Sequence, residues 1–159
     1  MTFEPLSSSP EKITEMSRMA TAILREHYDP IVGKAQNDYM LVVNQSETAI
    51  RGQLAKGYRY FFVKEGERTL GFLAFFPRGG AMYLSKFYLY KKERGKGYAR
   101  EMLAFVTRAA RAEGLSAVEL NVNRHNETTR IYERLGFTRL REERIDIGGG
   151  FFIDDYVYR

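Results

Sequence analysis

Hydrophobic positions near helical spacing open the chain. Ile13, Met16, Ala20, Ile23 and Leu24 predict a helix to about His27, started by Ser7-Ser8-Ser9-Pro10 with Glu11 in its first turn. Asp29-Pro30 is expected to end it. A shorter helix is predicted over 36–43, and another from the N-cap Ser46 to Gly57. The period then changes. Tyr58 to Lys64 and Thr69 to Pro77 are aromatic and aliphatic runs joined by Glu65-Gly66-Glu67-Arg68, a hairpin signal. Gly79-Gly80 turns the chain into a third run, Met82 to Tyr90. Leu70 to Phe76 is apolar at both alternating sets of positions, which predicts a central strand covered on both faces. Ala99, Met102, Leu103, Val106, Ala109 and Ala110 form one face of a helix ending at Gly114. Ala117 to Val122 reads as a strand, and Asn126 to Leu135 as a short helix closed by Gly136. Phe137 to Ile147 and Phe151 to Tyr158 make a last hairpin across Gly148-Gly149-Gly150. The order predicts one mixed-sheet α/β domain over residues 1–159.

Composition narrows the chemistry. With 159 residues, 44% hydrophobic and 28% charged, the chain can bury a core without covalent staples. It has no Cys, which excludes disulfides, thiolate metal sites and a cysteine acyl-enzyme. Its two histidines, His27 and His125, make a histidine metal cluster unexpected, so no metal is anticipated. Met1 to Pro5 lacks a basic region followed by an apolar run, and no stretch reaches membrane-spanning length. The expectation is a soluble cytoplasmic protein without a membrane partner. A net charge of +5 attracts anions or is merely a solvated basic surface, and only the location of the charges distinguishes the two.

The strongest chemical signal is Arg94-Gly95-Lys96-Gly97-Tyr98-Ala99, between a strand and a helix. Two glycines leave the backbone open to close approach. Several N–H groups can converge there at the positive end of a helix dipole. Lys91, Lys92, Arg94 and Lys96 add charge, making a cradle suited to a pyrophosphate; the plainer alternative is a glycine-rich connection. A Walker loop is excluded because Gly97-Tyr98, not Ser or Thr, follows Lys96. The dinucleotide fingerprint fails at Arg100, where its third glycine should stand. Lys96-Gly97-Tyr98-Ala99 copies the start of an RNA-recognition signature, but Arg100 replaces its next aromatic on a helix-periodic segment, so nucleic acid is not expected as a partner.

These residues resemble the Arg/Gln-x-x-Gly-x-Gly/Ala loop of the GCN5-related N-acetyltransferase (GNAT) superfamily, with Arg94, Gly97 and Ala99 at the marked positions. Asn121 to Asn126 and Ile131 to Phe137 resemble the second half of that signature. The resemblance runs from about Tyr58 to the end. It implies a mixed, mostly antiparallel sheet flanked by helices, with splayed strands forming an acetyl-CoA cleft. It implies that amides of Gly95, Lys96, Gly97, Tyr98 and Ala99, with Arg94, hold the diphosphate. The end of the third strand, Leu89 and Tyr90, would lie along the cofactor, and the N–H near Leu89 would hold the thioester carbonyl and stabilise the oxyanion. Asn126 matches the asparagine that opens the next helix and faces the pantetheine arm; read alone, it is a helix N-cap. Tyr132 matches the tyrosine that protonates the leaving thiolate; read alone, it is a core tyrosine.

Without a cysteine, the simplest mechanism is direct attack of a bound primary amine on acetyl-CoA. Glu119, Asp154, Asp155 or a water chain could take the amine's proton. Strand alternation puts Asp155 on a face with Phe151, Ile153 and Val157, where a carboxylate is costly unless paired. Asp155 is therefore expected either to meet the acceptor's cation, or to pair with an arginine or turn outward on a bulge. The ending also resembles a bacterial subgroup with polyamine acetyltransferases among its members, implying a small cationic acceptor. His27 and Tyr28 fall where the family often builds an acceptor wall, but a lone histidine is more often structural. The competing readings are a non-catalytic acyl-CoA sensor or adaptor, and an acetyltransferase acting on a protein or tRNA. The aromatic final strands could support a homodimer.

Overall fold

A computed structural model describes residues 1–159. Its elements are β1 (Thr2–Pro5), α1 (Pro10–Val32), α2 (Lys34–Gln45), α3 (Glu47–Ala55), β2 (Arg59–Glu65), β3 (Arg68–Arg78), β4 (Ala81–Leu89), α4 (Tyr98–Ala112), β5 (Val118–Asn123), α5 (Thr129–Arg134), β6 (Arg139–Gly148) and β7 (Phe151–Tyr158). Ser9 caps α1 by accepting from Lys12 N at 3.3 Å, and Ser46 caps α3 by accepting from Ala49 N at 3.1 Å. No helix is long and apolar enough to cross a membrane.

Two expectations are corrected. The first helix does not end at Asp29-Pro30 but runs to Val32 and stops at Gly33, whose φ is 86°. Pro30 sits in the last turn, where a missing N–H disturbs little of the helix. Asn37 of α2 is buried there and donates to Leu24 O at 3.1 Å and Asp29 Oδ1 at 2.7 Å, stitching α2 to that turn. The second correction is β1, four residues too short to show a period, which pairs antiparallel with β2.

The sheet order is β1-β2-β3-β4-β5-β7-β6, antiparallel throughout except for the β4–β5 pair. As expected, β3 is covered on both faces. Phe72 and Ala74 join a core with α1 residues Ile13, Met16, Ala20 and Ile23, while Leu73 and Phe75 join a second core with Met102 and Val106 of α4. Each fully buried phenylalanine contributes roughly 1.5–3 kcal/mol.

Two irregularities in β4 create the site. Ala74 pairs with Lys86 but Phe75 pairs with Leu84, so Ser85 is an extra residue, a β-bulge. The bulge reverses the alternation: Leu84 faces α4, whereas Lys86 and Tyr88 face α1 and α2, and Phe87 and Leu89 return to the α4 side. Next, β4 pairs with β5 only at Met82↔Val118 and Tyr83↔Glu119. Beyond that point β5 is paired with β7 alone, and a gap opens between Ser85–Leu89 and Leu120–Asn123.

Candidate active site

On the α4 side of the gap lies a groove of about 380 Å³ walled by the Arg94–Ala99 loop, the start of α4, and α5. Gly95 and Gly97 have φ of 76° and 82°, a region open to glycine, and no atom lies within 4 Å of a Cβ built on either. No side chain caps α4, so its first N–H groups are left for an external anion. The loop is held from below by Glu93, which is 2% exposed and pairs with Lys96 at 3.3 Å and Arg68 at 3.6 Å. The Lys96 ammonium is thus tied to Glu93, and Lys96 does not line the groove, whereas Gly95, Gly97, Tyr98 and Ala99 do. Tyr90 is not brought to the groove: its N–H donates to Leu70 O at 2.9 Å and its ring lies against the α1 side.

That Tyr90–Leu70 bond fixes the direction of Leu89. Flanking pairs alternate in an antiparallel ladder, so Gly71↔Leu89 is a non-hydrogen-bonded pair, and the Leu89 N–H and C=O point away from β3 into the gap. Gly71 makes this close pairing possible, since a Cβ there would fall 2.0 Å from Tyr88 O. Tyr132 of α5 lies across the throat, its ring 6.1 Å from Phe87 and 5.9 Å from Phe137. Burial, then the nearby Tyr28, pushes its hydroxyl pKa upward, so it stays protonated at neutral pH.

A chain of hydrogen bonds that sequence reasoning missed crosses the throat. Arg94 donates to Leu89 O at 3.3 and 3.2 Å through two nitrogens, and its third reaches His27 Nδ1 at 3.4 Å. Arginine can only donate, so Nδ1 accepts and Nε2–H donates to Asn126 Oδ1 at 3.1 Å. Burial first, and then Arg94, lower the His27 pKa and keep that neutral tautomer. Asn126 Nδ2 donates to the Tyr28 hydroxyl at 3.3 Å. Asn126 is buried in the throat but does not itself open α5, which begins at Thr129; its Oδ1 also accepts from Thr128 N at 3.0 Å. A signal existed in the pairing of His27-Tyr28 at a helix end with a distant Asn126, but no sequence rule joins positions 99 residues apart.

The acetyltransferase (GNAT) domain model matches residues 19–152. This chain belongs to the GNAT acetyltransferase family. The uncharacterized N-acetyltransferase YycN of Bacillus subtilis is 45% identical over 56 residues, 35% of this chain and 36% of that protein, so the sequence match spans about a third of the curated relative. The crystal structure of YycN superposes with TM-score 0.65 at 25% identity, covering 94% of this chain and 99% of that one. The PaiA N-acetyltransferase of Thermoplasma acidophilum, solved with coenzyme A, superposes with TM-score 0.77 at 16% identity, covering 99% and 98%. These likenesses agree with the mixed, mostly antiparallel GNAT sheet.

In this GNAT chain the gap leads through to a second cavity, of about 330 Å³, on the α1–α2 face. Tyr28, Ser85, Tyr88 and Asn121 line both it and the throat. Asp155 of β7 reaches this cavity and is 8% exposed. Its partner is an amide, Asn121 Nδ2 at 3.2 Å, rather than an arginine, and Asn121 is oriented by Tyr83, whose hydroxyl donates to Oδ1 at 3.0 Å. Burial raises the Asp155 carboxyl to about 6, the Asn121 bond opposes this, and Glu143 and Asp154 push it up. The other two candidate bases are turned elsewhere: Glu119 lies 3.8 and 3.9 Å from Arg78 and Arg141, and Asp154 lies 4.0 Å from Arg144.

Proposed function

We propose that this GNAT protein transfers the acetyl group of acetyl-CoA to the primary amine of a small acceptor, by direct attack within a ternary complex. The observation that carries this reading is the gap between β4 and β5. It joins a groove with an uncapped helix start, suited to a diphosphate, to a cavity on the opposite face that holds a carboxylate. The residues present fit acetyl-CoA: backbone amides of Gly95 to Ala99 for the diphosphate, and apolar Phe87 and Leu89 along the arm. The Leu89 N–H is aimed where the thioester oxygen gains charge as the amine adds, a role worth about 3–4 kcal/mol in comparable sites. Tyr132 gives its proton to the departing sulfur. Asp155, directly or through water, meets the acceptor's ammonium and takes a proton before attack. A compact cationic amine satisfies that requirement.

The test is thiol release from acetyl-CoA with amines varied, in the parent and in Tyr132→Phe. Intersecting initial-velocity lines and a kcat lowered about 10²-fold or more in the variant, with acetyl-CoA affinity kept, are expected. Tight acetyl-CoA binding with no turnover of any amine in either protein would favour an acyl-CoA sensor instead.

A further inference from the structure

The acceptor cavity contains a second ionisable group that the reaction above does not use. Lys86 is 5% exposed and lines the cavity on the face given to it by the Ser85 bulge. Its ammonium donates to one backbone carbonyl, Asn44 O at 3.0 Å, which also accepts from Gln53. It lies 5.8 Å from the Tyr60 ring centre and forms no ion pair with a carboxylate, and burial lowers its pKa to about 7, so an anion brought beside it favours the charged form. Asp155 shares the cavity, yet the two do not form an ion pair. Gln45, whose amide oxygen is buried without a partner, lines the same space. A lysine so deeply buried is normally paired or satisfied through all its donors. Here Asn44 takes one of the three, and the ammonium is left at the wall of a void with a carboxylate elsewhere on its lining. A chain of positive charges does not suit that space.

Resting on the acetyltransferase reading, we infer that the acceptor is an amine that also bears an acidic group, whose carboxylate binds Lys86 while its amine is held toward Asp155 and the throat. The cavity is dipolar, and its ligand is dipolar with it. Lys86 is a specificity-determining residue that sets which amines enter. Bare alkylamines lack the group that Lys86 needs, and diamines bring a cation against it.

The test is calorimetric binding to the protein saturated with CoA, so that it reads the cavity without turnover. Amino acids with the amine at the α- or ω-position are each compared with the alkylamine and diamine of the same length. The best amino acid is expected to bind at least about tenfold tighter than its matched amine and diamine, as for a charge-assisted contact in a dry site. In Lys86→Met that ratio should collapse toward one, with CoA binding reporting that the variant is folded; Lys86→Arg serves as a second variant if Lys86→Met does not fold, and should shift the preferred length. Equal or tighter binding of alkylamines or diamines in the parent overturns the inference, as does a ratio unchanged in the variant. Turnover of the same compounds separates the two readings. Plain amines acetylated without preference refute only the acidic acceptor, whereas amino acids that bind but are never acetylated refute the transferase reading.

Discussion

Gly71→Ala should damage turnover far more than a one-methyl change in an interior strand ordinarily would. The added Cβ would lie 2.0 Å from Tyr88 O, 2.8 Å from Leu89 Cα and 2.9 Å from Tyr88 C, all backbone atoms that no rotamer change can move. Ordinary contact begins near 3.4 Å, so β3 and the end of β4 must separate by about 1.4 Å. Leu89 rides on that segment, and its N–H is the group aimed into the gap. A displacement of about 1 Å at a reacting centre costs about 10²-fold in rate. Overpacking adds roughly 1–3 kcal/mol of destabilisation. The assay is steady-state kinetics with acetyl-CoA and the best acceptor, beside thermal unfolding and CoA calorimetry. A kcat lowered about 10- to 100-fold with CoA affinity reduced far less is expected. Gly52→Ala on α3 is the control: nothing lies within 4 Å of its Cβ, and it should stabilise by about 0.5–1 kcal/mol without changing kcat. A Gly71→Ala enzyme with kcat within about twofold of the parent would refute the claim that the close Gly71–Leu89 pairing positions the chemistry.

Other outcomes follow from the same geometry. Because the Asp155 carboxyl is raised to about 6 from its ordinary 3.8, the folded state binds its proton more tightly than the unfolded chain does. Its contribution to stability should therefore be present at low pH and lost as pH rises from about 4 through about 6; Asp155→Asn should flatten that part of the melting-temperature profile. Over the same range, acceptor KM should rise as pH falls below about 6, where Asp155 loses its charge, and Asp155→Asn should abolish that dependence. Asn126→Ala strips buried partners from His27 and Tyr28, and calorimetric unfolding should register a loss of roughly 1–3 kcal/mol. Glu93→Gln should loosen the Gly95–Gly97 loop by removing the carboxylate that Lys96 and Arg68 share, weakening acetyl-CoA binding several-fold in a titration while leaving acceptor binding near parental.

The part of the site that could be read without coordinates is the part built locally. The glycine loop, the runs on either side of it and the double-faced strand Leu70–Phe76 each announce themselves within a dozen residues, whereas Tyr132 and Asn126 are singled out by the family resemblance, and read alone are a core tyrosine and a helix N-cap. What escaped depends on register or on distance. The Ser85 bulge is invisible as a period, because strict alternation from Met82 and Leu84 would put Lys86 on their face toward α4, and only the inserted residue turns it to the cavity instead. Nothing within the charged stretch 91–96 singles out Glu93, which only burial beneath the loop makes the anchor of Lys96 and Arg68. The Arg94–His27–Asn126–Tyr28 chain needs three segments brought together by the fold. Pro30 misled in the opposite way: the local rule is sound, but a helix one turn from its end loses little by breaking it.

Titration of the purified protein with acetyl-CoA, in parallel with Gly97→Val, tests the central claim most directly. The open glycine turn beneath α4 predicts binding in the micromolar range for the parent, and a loss of at least about tenfold when a branched side chain is forced onto a backbone with φ of 82° in the mouth of the groove. A parent that ignores acetyl-CoA at millimolar concentration, or a Gly97→Val protein that binds it equally well, would contradict the account.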